Sequence, residues 1–168
     1  MTPDSVLSYL QTHQQRFVDE LCAYARIPSV SAQSQHAPDL RRCADWIADR
    51  ARAVGLDVEI HPTARNPIVV ARTPRTDPRK PTFVVYGHYD VQPPEPFNLW
   101  TSPPFEPRIE GRNVFARGVS DNKGQHLAHL NAVEAWLKSG AELPCNLTFL
   151  IEGEEEVGSQ SLQDFLPE

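Results

Sequence analysis

Apolar positions along the chain switch between two periods. Over residues 3–25, Val6, Leu10, Phe17, Leu21 and Tyr24 fall near helical spacing. That spacing predicts an amphipathic helix with Thr2 as cap and Pro3 in its first turn, stopping before Pro28. IPSVSAQSQHAP then reads as a loop. A second helix is predicted from Asp39 to Val54, with Leu40, Cys43, Ile47, Ala51 and Val54 inward and Gly55 as its stop. Leu56, Val58 and Ile60 alternate as a strand, and Ile68–Ala71 form another. Thr82–Tyr86 is apolar, β-branched and aromatic, which predicts a strand central to a sheet. Residues 92–107 are too rich in proline for regular structure, so an ordered loop held by Phe97, Trp100 and Phe105 is expected. Short strands follow near Arg108–Ile109 and Val114–Phe115. Residues 122–138 have a helical apolar face of Leu127, Leu130, Val133 and Leu137, with Gly140 beyond the end. Asn146–Ile151 is another buried strand, and Ser159 is placed to cap a further helix.

Strands alternating with helices define an α/β layered domain, without internal repeat or clear domain boundary. Composition agrees: 40% hydrophobic and 23% charged residues in 168 is globular, with room for one core. A formal charge of −6 with no Lys/Arg block argues against nucleic-acid binding. No apolar run approaches the length of a membrane span, and MTPDSVLSYLQ lacks the features of a signal peptide, so a cytoplasmic protein is expected. Cys22, Cys43 and Cys145 are odd in number and far apart, which reads as free, buried thiols.

Three polar clusters stand out by position. GHYD (87–90) and EGEEE (152–156) each leave the C-terminal end of a predicted core strand, and SDNKG (120–124) opens a helix. In open α/β sheets such ends are where ligands gather. Individually each cluster has a structural explanation: chance for His-x-Asp, a helix cap for Asp121, a solvated loop for the glutamates. Together they offer imidazole and carboxylate donors to a divalent metal, and the lack of nearby cysteine argues against a closed structural zinc site. His88 and Asp90 are two apart and point the same way if extended, so Asp90 can accept the second ring N–H of a ligating His88. His126 and His129, three apart on a helix that must pack on the sheet, read as packed or surface residues. Trp46 and Trp136 read as packing residues.

Five stretches carry a family resemblance: ARIPSVS (25–31), VVYGHYDVQPP (84–94), W-TSPPFEP (100–107), GRNVFARGVSDNKG (111–124) and IEGEEEVGS (151–159). In this order they resemble the N-terminal part of the di-metal peptidases that include aminoacylases, acetylornithine and succinyl-diaminopimelate deacylases, and carnosine-type dipeptidases. HYDVQP followed by the tryptophan and PPFEP is closest to the dipeptidase branch. The resemblance implies a three-layer, phosphorylase/hydrolase-like catalytic domain with a central mixed sheet, of which residues 1–168 are the N-terminal, incomplete portion. A lid or dimerisation domain, through which the parent would form a homodimer, and the rest of the catalytic domain would lie outside this chain.

The resemblance also implies roles. His88 would bind one metal and Asp90 would orient it. Asp121 would bridge two metals, with a cis Asp121–Asn122 peptide. Glu155 would be the general base and Glu156 a ligand of the second metal, leaving Glu152 and Glu154 as solvated or supporting residues. The cofactors implied are two divalent ions, zinc first, with manganese and cobalt as alternatives. The reaction implied is amide hydrolysis of a dipeptide by water held between the ions. An N-acyl amino-acid deacylase, or a truncated non-catalytic interaction module, are the alternatives. The family's remaining acidic and histidine ligands have no match after Glu156, where Asp164 and Glu168 are the only acidic residues, so the chain alone is expected to be inactive.

Overall fold

The first predicted helix is broken in two. In the computed structural model, which describes residues 3–74 and 76–166, α1 spans Asp4–Thr12 and α2 spans Gln14–Ala25. Between them His13 adopts φ −104°, ψ 9°. Its backbone N–H donates to the Tyr9 carbonyl at 3.1 Å, and its Nδ1 lies 2.9 Å from the same oxygen. A side chain competing for a carbonyl of the preceding turn bends a helix in a way that apolar spacing does not announce. Thr2, the expected cap, lies outside the described residues. A 3-10 turn over Ser34–His36 leads into α3, Ala37–Val54, with proline in its first turn and Gly55 ending it at φ 107°. The five residues predicted to face inward on α3 are buried.

Strands β1 (Asp57–His61), β2 (Ile68–Arg72) and β3 (Thr82–His88) follow, then the proline-rich segment, a short hairpin β4 (Arg108–Glu110) and β5 (Asn113–Phe115), helix α4 (Gly124–Lys138), strand β6 (Asn146–Glu152) and helix α5 (Gln160–Phe165). In the proline-rich segment Trp100 donates its ring N–H to the Pro94 carbonyl at 2.7 Å and lies under the Arg117 guanidinium. Phe97 is exposed and does not help to hold it. Cys22 and Cys43 are buried free thiols, whereas Cys145 is only half-buried.

The main sheet has the order β1-β2-β6-β3, antiparallel between β1, β2 and β6 and parallel between β6 and β3. It is therefore mixed. Its central apolar strands are β2 and β6. The expectation that Thr82–Tyr86 is central is not met: among the described residues β3 is an edge strand. Phe83, Val84 and Tyr86 are 57%, 62% and 48% exposed. β-branched and aromatic composition reports fitness for a pleated surface, not the number of neighbouring strands.

One face of the sheet carries the core. Ile47, Ala51 and Val54 of α3 and Leu127, Leu130 and Val133 of α4 pack with Val69, Ala71, Phe149 and Ile151 of the sheet. Trp46 packs partly buried against this core, its ring stacked on Tyr24. Phe165 of α5 meets the His61 ring of β1.

A buried ionic cluster ties the helices to one another. The Arg50 guanidinium of α3 donates to Glu20 of α2 at 2.8 Å, to Asn131 of α4 at 2.9 Å, and to the Glu134 carboxylate of α4. Glu134 also accepts from Tyr9 of α1 at 2.7 Å and from Arg16 of α2 at 2.5 Å. Burial alone would raise the Glu134 pKa, but hydrogen bonds from Tyr9, Arg50 and Arg16 outweigh it and hold the carboxyl below its usual range. Removing one partner of a buried pair strands the other. Arg50→Met should therefore cost about 3 kcal/mol at pH 7, a fall in melting temperature of roughly 6–12 °C. Because the folded-state pKa of Glu134 is depressed, this stabilisation is complete above the unfolded carboxylate pKa and is lost as pH falls through the folded value. The gap between wild type and variant should narrow on acidification. A loss no larger than that of an exposed pair, about 1 kcal/mol or less, would overturn this account.

Candidate metal centre at the sheet edge

Parallel pairing brings two of the three polar clusters together. β3 and β6 run in register from Thr82↔Asn146 to His88↔Glu152, so GHYD and EGEEE leave the same edge side by side. The Tyr89 N–H extends the pairing by donating to the Glu152 carbonyl at 2.8 Å. Tyr89 then fills the space beside Gly153, where an added Cβ would overlap its ring. Only glycine fits at 153.

His88 is 5% exposed and faces two ways. Its Nδ1 lies 3.1 Å from the Asp90 carbonyl oxygen and 3.4 Å from Asp90 Oδ1. Its Nε2 lies 3.1 Å from Asp121 Oδ1 and 3.9 Å from Glu155 Oε2. His88, Glu155 and Glu156 each present a donor atom, all within 4.8 Å of one another. Burial pushes the His88 pKa down, but the hydrogen bonds and charge of Asp90 and the charge of Glu155 prevail and raise it to about 9. An edge that retains a proton this strongly is electrostatically suited to a cation.

Asp90 is fully buried, and its carboxylate accepts from Ser31 Oγ at 2.6 Å, from the Glu155 N–H at 3.3 Å and from the Glu156 N–H at 3.1 Å. It thus binds the loop after β6 to the loop after β3 while lying behind His88. The ARIPSVS stretch supports it: Ser29 Oγ donates to the Tyr89 carbonyl at 2.6 Å, and Val30 bridges to Val91.

Asp121 does not act as a helix cap. It sits at φ −148°, ψ 100° within a wide turn over Val119–Lys123 that precedes α4, with no capping hydrogen bond, and its carboxylate faces His88. The Asp121–Asn122 peptide is cis, as the resemblance implies. Next to it, buried Lys123 donates to the Tyr24 and Ile27 carbonyls at 3.2 and 2.7 Å, fixing the turn to the end of α2.

The glutamates of EGEEE divide into two kinds. Glu152 accepts from Tyr86 and Ser159 hydroxyls, both at 2.7 Å. Glu154 accepts from the Asn66 N–H at 3.0 Å and from the Ser161 N–H in the first turn of α5 at 3.3 Å. Both are buried supports, so they are not solvated; Ser159 takes the N-cap position of α5 as expected, but the side-chain oxygen that accepts from the helix's first turn is that of Glu154. Glu155 is exposed and Glu156 half-buried. Glu156 accepts from Gln92 at 2.7 Å, whereas the Glu155 carboxylate accepts no hydrogen bond among the described residues. Of the other candidates, His126 is buried beneath the edge, while His129 and Asp164 are exposed outside the cluster; Glu168 lies outside the described residues. Ser31, Gln92 and Lys123 escaped sequence reasoning as individuals, although each lies in a stretch that carries the resemblance.

Known proteins resemble this chain in sequence and fold. The chain is 30% identical to the Cys-Gly metallodipeptidase dug1 of Schizosaccharomyces pombe over 99% of its own length and 37% of that protein's. It is 33% identical to the human Beta-Ala-His dipeptidase over 97% of the chain and 34% of the relative. The crystal structure of human carnosine dipeptidase 1 superposes with a TM-score of 0.90 at 32% identity, covering 96% of this chain and 36% of that one. The chain therefore spans little more than a third of the length of these relatives, and its mixed α/β fold matches the corresponding part of a solved dipeptidase. The sequence profile of Peptidase family M20/M25/M40 matches residues 84–167, the half that holds GHYD, SDNKG and EGEEE, and the chain belongs to that family.

Proposed function

We propose that these residues form part of the catalytic centre of a cytoplasmic, metal-dependent dipeptidase. The observation that carries this reading is the convergence of His88, Asp121, Glu155 and Glu156 at one sheet edge, with donor atoms of three of them within 4.8 Å. The donor set is one imidazole and several carboxylates, a chemistry that suits zinc, manganese or cobalt, with zinc the first choice. The relatives named as dipeptidases support the substrate class. No helix among the described residues is long and apolar enough to cross a membrane.

In this reading His88, Asp121 and Glu156 would hold the divalent ions. Bound there, divalent cations supply Lewis-acid chemistry, acidifying water and polarising the scissile carbonyl. Asp90 holds the His88 ring from behind at Nδ1, which fixes the ring's orientation and, once a cation displaces the other proton, leaves Nε2 as the ligating nitrogen. The hydrogen bond from Gln92 holds the Glu156 carboxylate in place. Glu155, half-exposed and without such a tether, takes the proton from the attacking water. As the carbon–nitrogen bond breaks, it delivers that proton to the leaving amine.

The chain's own donors fall short of a complete centre. Three donor residues would have to serve two ions, whereas a single catalytic zinc ordinarily takes three protein ligands. The 168-residue chain alone should therefore release no amino acid from Cys-Gly or β-Ala-His in the presence of zinc or manganese. Metal-dependent turnover by the purified chain at the rate of a full-length dipeptidase would overturn that expectation. In a protein that carries these residues at the length of the relatives, cleavage of N-acetyl or N-succinyl amino acids in preference to dipeptides would replace the dipeptidase reading with a deacylase.

The two adjacent glutamates separate in the same full-length protein. Glu155→Ala should lower kcat by about 10²–10⁴-fold with bound metal unchanged. Glu156→Ala should lose metal, as read by elemental analysis after dialysis. Equal metal content in the two variants would overturn the division of roles.

A further inference from the structure

His126 is the most deeply buried imidazole in the described chain, 1% exposed, and no step proposed above uses it. It lies one layer beneath the metal-facing edge. Its Nε2 is 3.1 Å from the Tyr24 hydroxyl, and its Nδ1 is 3.1 Å from Asn122 Oδ1. The same Asn122 oxygen accepts the backbone N–H of His88 at 3.2 Å.

Donor and acceptor identities fix the direction of this chain. A backbone N–H only donates, so the Asn122 atom facing His88 is its carbonyl oxygen and not its amide nitrogen. An oxygen only accepts here, so the His126 nitrogen facing it is Nδ1–H. The neutral ring then presents Nε2 as an acceptor, and the Tyr24 O–H donates to it. Full burial keeps the ring neutral, pushing its pKa down to about 3. Tyr24 is itself fixed, buried and stacked on Trp46 with ring centroids 4.4 Å apart. The contact tolerates no side chain at residue 87: a Cβ there would stand 2.9 Å from Asn122 Oδ1 and from His126 Nδ1.

We propose that His126 is a positioning residue which, through Asn122, holds the backbone of His88 at the sheet edge. A continuous set of hydrogen bonds runs from α2 (Tyr24) through α4 (His126) and the turn before it (Asn122) to the last residue of β3. Asn122 follows Asp121 directly, so one side chain fixes the spacing between two of the proposed metal-binding residues. Its consequence for metal binding rests on the dipeptidase reading; the hydrogen-bond chain itself does not.

The test compares His126→Asn, His126→Gln and His126→Leu in the 168-residue chain. Asn retains a donor at the δ position and can still reach Asn122. Gln and Leu match the imidazole volume better but place no donor there. Hydrogen exchange of the His88 amide should quicken about tenfold in the Gln and Leu variants, the equivalent of one net hydrogen bond, and stay near wild type in Asn. Two-dimensional ¹⁵N–¹H spectra of the wild-type ring should show the Nδ1–H tautomer. Zn²⁺ affinity measured by calorimetry should fall roughly tenfold in Gln and Leu, as for partners behind a metal ligand, and recover in Asn. If Leu does not fold, the Asn and Gln pair still decides. An Nε2–H tautomer, or variants ranked by volume with Asn the worst, would overturn the proposal and leave His126 a packing residue. The expected tautomer and exchange pattern without measurable Zn²⁺ affinity would still support the positioning chain, because the incomplete donor set accounts for weak binding by itself.

Discussion

The site depends first on the parallel register of β3 and β6. Side chains alternate with a period of two along a strand, so a slip of one residue would turn His88 to the opposite face. The register is held by apolar pairing well away from the chemistry. Val85 lies opposite Phe149 and Gly87 opposite Ile151, while β2 locks β6 from its other side through Ala71 and Val69. Phe149 and Ile151 are packed against α3 and α4 in the core, and that packing leaves β6 no freedom to slide. The polar edge inherits its geometry from a mainly apolar buried interface away from the edge itself.

What that geometry gathers is electrostatically costly. Two like charges about 5 Å apart repel by roughly 3 kcal/mol at an effective dielectric near 20. Glu155 and Glu156 present carboxylate oxygens within such a distance of each other, and Asp121 faces the same imidazole as Glu155. The raised His88 pKa is the local answer in this chain, because a protonated imidazole offsets part of the negative charge. Asp90 is handled differently. Its buried charge is met by a hydroxyl and two backbone N–H groups, so it supports the edge without needing a cation of its own.

Much of this was legible in the sequence, and what was not has physical causes. The strands, the long helices and the meeting of GHYD with EGEEE follow from period and position. The edge location of β3 does not, because Phe83, Val84 and Tyr86 have the composition of an interior strand. The break at His13 depends on a side chain reaching one particular carbonyl, and apolar spacing is blind to that. His126 illustrates a deeper limit. Its helical position identifies it as packed, but its role is set by Tyr24 and Asn122, which tertiary structure alone brings to its two ring nitrogens. Ser31 and Lys123 are the same case: each acts on an element distant in sequence.

The stretch EGEEEVGS shows how rigidity and freedom can share eight residues. Its backbone is held from three directions. Glu152 ties it to Tyr86 and Ser159, Glu154 ties it to Asn66 and the first turn of α5, and Asp90 grips the N–H groups of Glu155 and Glu156. The charge density that makes the stretch look like a solvated loop is therefore mostly structural: two of the four carboxylates are internal acceptors. Glu156 is restrained by Gln92, and of the four glutamates only the Glu155 carboxylate accepts no hydrogen bond from the described residues. A group that must take a proton from one atom and give it to another needs a fixed backbone beneath a side chain free to turn. The buried glutamates supply the first condition, and the absence of a tether on Glu155 supplies the second.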